Sequence, residues 1–254
     1  MDENEVENLR KVYNSEHPDE PEVVAGASIK TWNTIKKRLH SKCKDKANQC
    51  ILKNILQKPS APKSWETNPA EWLSSVEIDA MEKELTILFS NYFYAGTIPI
   101  DFDKKSKTGT CLVNSLCSLN IKDIYDKGKT RVGIVFNTDV STGPGQHWIA
   151  LFVNIGPQYE HPRITYFDSY SHKPEPEIQR LMYRWKDQWD KTKINSKPTE
   201  LTYNKIQHQY EDSECGMYCL YFHWCCLTNI PMEKRVPDKV VRAFRKLLFS
   251  IGKK

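Results

Sequence analysis

The sequence contains no run of apolar residues approaching the ~18 needed to cross a bilayer, which excludes an obvious membrane-spanning helix. Its acidic start, MDENEVENLR, lacks the basic and apolar blocks of a secretory signal, so the expected setting is intracellular. There is no Cys-x-x-Cys pair either. Cys43 and Cys50 are seven positions apart with His40 nearby, and Cys215 and Cys219 lie one helical turn apart on an apolar stretch. A zinc knuckle is therefore not expected, and neither a metal nor a cofactor is assigned. Eight cysteines in a long chain without an export signal, two of them adjacent at Cys225 and Cys226, read as reduced thiols rather than a disulfide framework. No internal repeat or low-complexity tract is present.

What remains is a soluble globular composition, 39% hydrophobic and 27% charged, in a chain of 254 residues. That length suits one main core with an appendage. Charge marks the appendage. Residues 1–22 hold eight acidic and two basic side chains, whereas 30–63 hold ten Lys/Arg and one Asp. Trp32, Ile35, Leu39, Cys43, Ile51 and Ile55 recur at helical steps through the basic stretch, predicting one or two amphipathic helices with basic outer faces. Such a face suits nucleic acid or an anionic surface, although a solvated helical face is the more common case. KPSAPKS then reads as a linker near 58–64, dividing a basic helical arm at 1–64 from a main domain at 65–254.

The main domain opens with NPAEWLSSVEIDAMEKELTILFSNYF, a helix with Asn68-Pro69 as cap and first turn and Trp72, Val76, Met81, Leu85 and Leu88 along one stripe. RVGIVFNT, HWIALFVNI and RITYFDSY have the β-branched and aromatic character of buried strands. PEPEIQRLMYRWKDQWDK predicts a helix, LTYNKIQHQY a fourth strand, and VPDKVVRAFRKLLFSIGKK a closing helix with Val240, Phe244, Leu247, Leu248 and Ile251 on one face. Strands clustered between helices indicate the α+β class.

Chemistry centres on HQYEDSECGMYCLYFHWCC. A thiol attacks carbonyls as a thiolate, which a helix N-terminus or a neighbouring imidazole favours. Cys215 sits where a helix should start: Glu211, Asp212, Ser213 and Glu214 precede it, Gly216 lets the backbone approach closely, and Met217, Leu220, Tyr221 and Trp224 follow at helical spacing. Among the histidines, His147 is the best-placed base, opening an apolar strand directly after STGPGQ. His17, His161 and His172 lie in polar loops, His208 flanks the cysteine segment and His223 falls inside the helix. Asp168, ending the next strand, is the candidate to orient the imidazole. Gln209 and the backbone N–H of Cys215 are candidate donors to an oxyanion.

The order HW at 147–148, YFDS at 166–169 and QYEDSECG at 209–216 resembles the Ulp1-like cysteine proteases, the clan of SUMO-deconjugating enzymes and adenovirus protease. EWLSSVEIDAMEKEL is similar to that family's Trp-Leu element. FNTDVSTGPGQHWIALFVN looks closest to the family's viral, polyprotein-processing branch, which likewise carries a basic helical arm. The resemblance covers roughly 65–250. It implies a papain-related core, a central mixed sheet flanked by helices, with His147 as base, Asp168 as its partner, Cys215 as nucleophile and Gln209 as oxyanion donor. It implies further that Trp72 and Trp148 roof a narrow tunnel for a Gly-Gly tail, with Asn137 and Gly216 beside it. The viral branch has Asn where Asp168 stands, a departure that leaves the third member open to exchange. The implied activity is endopeptidase cleavage after Gly-Gly sites, maturing viral structural polyproteins in host cytoplasm and virion. A deconjugating isopeptidase for ubiquitin-like modifiers and an inactive binding module for tails or nucleic acid are the alternatives.

Overall fold

The computed structural model describes residues 3–16, 19–42 and 58–250. Helices α1 (Glu3–Glu16) and α2 (Ser28–Lys42) pack on each other, and Leu9, Tyr13, Val23 and Ile35 bury themselves in the main core rather than in a separate one. The expected helical continuation through Cys43, Ile51 and Ile55 lies outside the described residues.

The main body is built on a mixed five-stranded sheet in sequential order: β1 (Tyr92–Pro99), β2 (Arg131–Asn137), β3 (Trp148–Asn154), β4 (Arg163–Phe167) and β5 (Glu200–Tyr203). The inner pairs β2/β3 and β3/β4 are antiparallel, while β1 and β5 add in parallel at the edges. The middle of both β2 and β3 is buried on either face, which is why these strands read as continuous apolar runs. One face is covered by α3 (Ser75–Leu88), α7 (Cys215–Thr228) and α8 (Asp238–Leu248). The other carries α4 (Asn114–Cys117), α5 (Ile121–Asp126) and α6 (Pro176–Asp190). The α+β class and the papain-related arrangement expected from the resemblance are the observed ones.

Several local expectations need correction. The first helix of the main domain starts at Ser75, not at Asn68-Pro69. Ser74 caps it, its Oγ accepting from the Val76 N–H at 3.1 Å and Glu77 reaching back to the Ser74 N–H at 2.8 Å. Its buried stripe is Ile78, Met81, Glu82, Leu85 and Leu88, leaving Trp72 and Val76 exposed. That helix ends at Leu88, and YFYAGTIP forms edge strand β1, whose half-buried pattern hides the alternation a strand reading needs. The stretch 58–64 is no free linker: Ser60 bridges Ser250, and Trp65 is buried edge-on to Phe249 at 5.1 Å. Cys111 and Cys117, expected as thiols, are joined in a disulfide across a short loop, with Cα atoms 6.5 Å apart.

Candidate active site

The register of β2 and β3 pairs Asn137 with Trp148, so residues 138–147 form the loop between them, closed by a bond from Thr138 N–H to His147 O at 2.9 Å. Asn137 organises that loop from inside: its Oδ1 accepts from the N–H groups of Asp139 (2.9 Å) and Gln146 (3.0 Å). Asp139 in turn accepts from Gly145 N–H at 3.0 Å. A Cβ on Gly143 would lie 2.1 Å from the Asp139 carboxylate, and Gly145 has φ +92°, so both positions require glycine. The result delivers His147 to the mouth of β3.

There the imidazole Nε2 meets Asp168 Oδ1 at 2.7 Å, and Cys215 is the ring's second side-chain hydrogen-bonding partner. Asp168 follows the end of β4 and is fixed at both backbone atoms by Asn204, which donates to its carbonyl (2.7 Å) and accepts from its N–H (2.9 Å). Its carboxylate also accepts from the N–H groups of Tyr170 (3.0 Å) and His172 (3.1 Å), with His172 Nδ1 at 2.8 Å. Burial pushes His147 down, but hydrogen bonds to Asp168 and Cys215, and the charges of both, outweigh it and raise the group from 6.5 to about 9. For Asp168 burial acts upward, and the hydrogen bond and charge of His147 reverse it, holding the carboxyl below its ordinary value.

Cys215 is the first residue of α7 and is 2% exposed. It therefore sits at the positive end of the helix dipole, among N–H groups without intrahelical acceptors. The acidic residues before it do not cap the helix with their side chains. Glu214 instead turns inward to Arg242, whose Nε donates at 3.1 Å. Burial pushes Cys225 up to about 12 and Cys219 and Cys226 well above the ordinary range, so those three pack as neutral groups. Gly216 is where the chain passes closest to the cleft wall, a Cβ there lying 3.1 Å from Leu73 Cβ and 3.2 Å from Trp148 Cδ1.

That wall belongs to a cleft of about 580 Å³ lined by Trp72, Leu73, Asn137, Gly145 and Trp148 among others. Trp148 is pinned by its Nε1–H bond to Leu73 O at 2.8 Å, while Trp72 is 49% exposed. Gln209 is fully buried beside the catalytic candidates. Its Oε1 accepts from Ser169 Oγ at 2.6 Å, and its Nε2 donates to Tyr170 Oη at 3.1 Å and to Glu211 O.

A buried thiol at a helix start, sharing an imidazole with a buried carboxylate, is the equipment of acyl transfer by a cysteine nucleophile. Residues 127–251 match the Ulp1 protease family, C-terminal catalytic domain. This segment belongs to that family. Its relatives include a cysteine protease of African swine fever virus, 37% identical over 124 residues, which cover 47% of this chain and 44% of the relative. A protein of Acanthamoeba polyphaga mimivirus, named as a thiol protease, is 28% identical over 170 residues, 67% of this chain and 52% of the relative. The chain thus spans about half the length of the curated relatives it matches. The crystal structure of the African swine fever virus protease superposes with a TM-score of 0.63 at 22% identity, covering 96% of this chain and 90% of that one. The Ulp1 protease domain in complex with Smt3, the yeast ortholog of SUMO, gives 0.50 at 15% identity over 71% of this chain and 76% of that one. At these identities the two structures establish the fold.

The structure brings His147, Asp168 and Cys215 together, places Gln209 one layer behind them, and sets Trp148, Asn137 and Gly216, with Trp72 from before the Ulp1-family segment, on or against the cleft. Sequence reading overlooked Asn204, Ser169 and Tyr170. Tyr170, whose ring centroid is 5.0 Å from that of His147, was discoverable in the YFDSY run. Asn204 was not, because its partner is 36 residues away. His208 and His223 are structural: His208 accepts from Val236 N–H at 3.1 Å, and His223 lies buried against Glu82 at 2.6 Å.

Proposed function

We propose that this protein is a cysteine endopeptidase cleaving after Gly-Gly-type sites, with Cys215 as nucleophile, His147 as acid–base and Asp168 as orienting group. The carrying observation is the line from Asp168 through His147 to Cys215 at the start of α7, beside the cleft edged by Trp72 and Trp148. The Cys215 thiolate attacks the scissile carbonyl carbon and the His147 imidazolium gives its proton to the departing amine, leaving a thioester. Water then attacks that thioester, His147 taking its proton, and the acid product leaves as the thiol group is restored. The Cys215 N–H and the Gln209 amide donate to the oxyanion, the latter exchanging one of its present bonds for the substrate. Indoles edging the cleft, with Gly216 packed against Leu73 and Trp148, favour a backbone without side chains and reject larger residues sterically.

We extend this reading to a viral structural polyprotein as substrate, with the host cytoplasm and the virion as setting; the relatives from two viruses favour a viral source. The names of other African swine fever virus relatives, which include SUMO-1 cysteine protease, support the second reading, hydrolysis of an isopeptide bond to a ubiquitin-like modifier. We take 1–64 as the arm and 65–254 as the catalytic unit. Contact of 30–63 with nucleic acid predicts an affinity falling steeply with salt, and a flat response would dismiss it. Purified protein is to be assayed on Gly-Gly-X peptides beside ubiquitin and SUMO C-terminal probes. Peptide cleavage is the expected result, turnover confined to the probes would transfer the assignment to deconjugation, and an unreactive Cys215 would leave only a binding module.

A further inference from the structure

Two arginines of α8 reach the site from behind, and nothing in the chemistry above uses them. Arg245 is 1% exposed, and a buried guanidinium needs strong reasons to stay charged and in place. Its Nη1 donates to Pro69 O at 2.9 Å and its Nη2 to Glu71 O at 2.7 Å. The guanidinium carbon lies 4.4 Å over the Trp65 ring, and Nη2 is 3.7 Å from Glu214 Oε2. The two carbonyls belong to the segment that leads into Trp72 and Leu73, and Leu73 O holds Trp148. The carboxylate belongs to the residue immediately before Cys215, itself fully buried and bonded on its other oxygen by Arg242 Nε at 3.1 Å and Ser213 Oγ at 3.3 Å.

One side chain therefore touches both the cleft wall and the turn that carries the nucleophile. We propose that Arg245 is a positioning residue for the reaction, an inference that rests on the protease reading: its planar fork locks the Pro69–Glu71 segment, and so Trp72 and Leu73, against the start of α7. Its charge, with that of Arg242, compensates a buried Glu214 carboxylate that would otherwise oppose a thiolate one residue away. The fork and the charge are separable. Lysine keeps the charge but cannot hold two carbonyls in one plane, and methionine keeps neither.

The test uses the full chain carrying Arg245→Lys, Arg245→Met or Glu214→Gln, each shown folded by its thermal midpoint. KM and kcat on a Gly-Gly-X peptide are measured together with the rate of Cys215 labelling by iodoacetamide at pH 7, with Cys215→Ala as blank. Arg245→Lys is expected to raise KM about tenfold with little change in kcat, since the wall moves while the nucleophile keeps its charge balance. Arg245→Met is expected to show the same rise and, in addition, labelling slowed roughly tenfold, with Arg245→Lys restoring the rate. Glu214→Gln is expected to label at least as fast as the parent, and it carries the charge arm should Arg245→Met not fold. Parental KM in folded Arg245→Lys, or slower labelling in Glu214→Gln, would overturn the proposal, because a merely structural residue moves the midpoint alone. Labelling requires no substrate, so a parent that is labelled but cleaves no peptide refutes the protease reading separately and leaves Arg245 to be decided by the labelling rates.

Discussion

At the scale of single residues, the site is an exercise in keeping charges where catalysis needs them. Against the opposing effect of burial, His147 is raised to about 9 by Asp168 and Cys215 and Asp168 is lowered chiefly by His147, so the imidazolium persists through neutral pH. Its folded value exceeds the unfolded 6.5, so its contribution to stability is fully present below about pH 6.5 and is lost as pH rises through about 9. Activity follows the same group: kcat/KM should fall along an alkaline limb near pH 9 as the proton donor to the leaving amine is lost. Asp168→Asn removes one of the groups raising His147, and that limb should move toward neutrality in a pH–rate profile. An unmoved limb would mean that Asp168 does not tune the imidazole. His147→Ala should lower kcat by about 10²–10⁴.

At the scale of elements, the nucleophile's helix and the cleft wall interlock with no spare room. Gly216→Ala places a Cβ 3.1 Å from Leu73 and 3.2 Å from Trp148, and Leu73 is tied to Trp148 through its own carbonyl. Overpacking of this kind costs about 1–3 kcal/mol, read as a lowered thermal midpoint, and displaced indoles should raise KM on Gly-Gly peptides. Ser74→Ala, which removes the cap of α3, should cost about 1 kcal/mol, read as a lowered thermal midpoint. These elements also show what sequence makes legible. The α7 helix was readable because Cys215-Gly216 opens a long apolar run, and β2 and β3 because their burial on both faces leaves unbroken apolar stretches. Strand β1 was not, since its residues are half-buried and follow a helix without a turn signal. The His147–Asp168–Cys215 order was legible through motifs local to each strand or helix. Asn204, Glu214 and Arg245 act through partners distant in sequence, the bond from Arg245 to Glu71 spanning 174 residues, and carry no local mark.

At the scale of the molecule, the chain before the Ulp1-family segment is fastened to the end of that segment. Ser60 pairs with Ser250, Trp65 packs between Phe249 and Arg245, and Tyr13, Val23 and Ile35 join the same core as α3, α7 and α8. Truncating Trp65 to Ala should therefore cost about 3–5 kcal/mol in denaturant unfolding, more than a linker residue would. No helix among the described residues is long and apolar enough to cross a membrane. The whole assembly serves to bring one thiol, one imidazole and one cleft together. The most direct measurement is intact-mass and fragment analysis after exposure to a peptide ending in Gly-Gly and a thiol-reactive carbonyl. A single adduct on Cys215, greatly slowed in His147→Ala, is the predicted result; no adduct, or one formed equally fast without His147, would contradict the account.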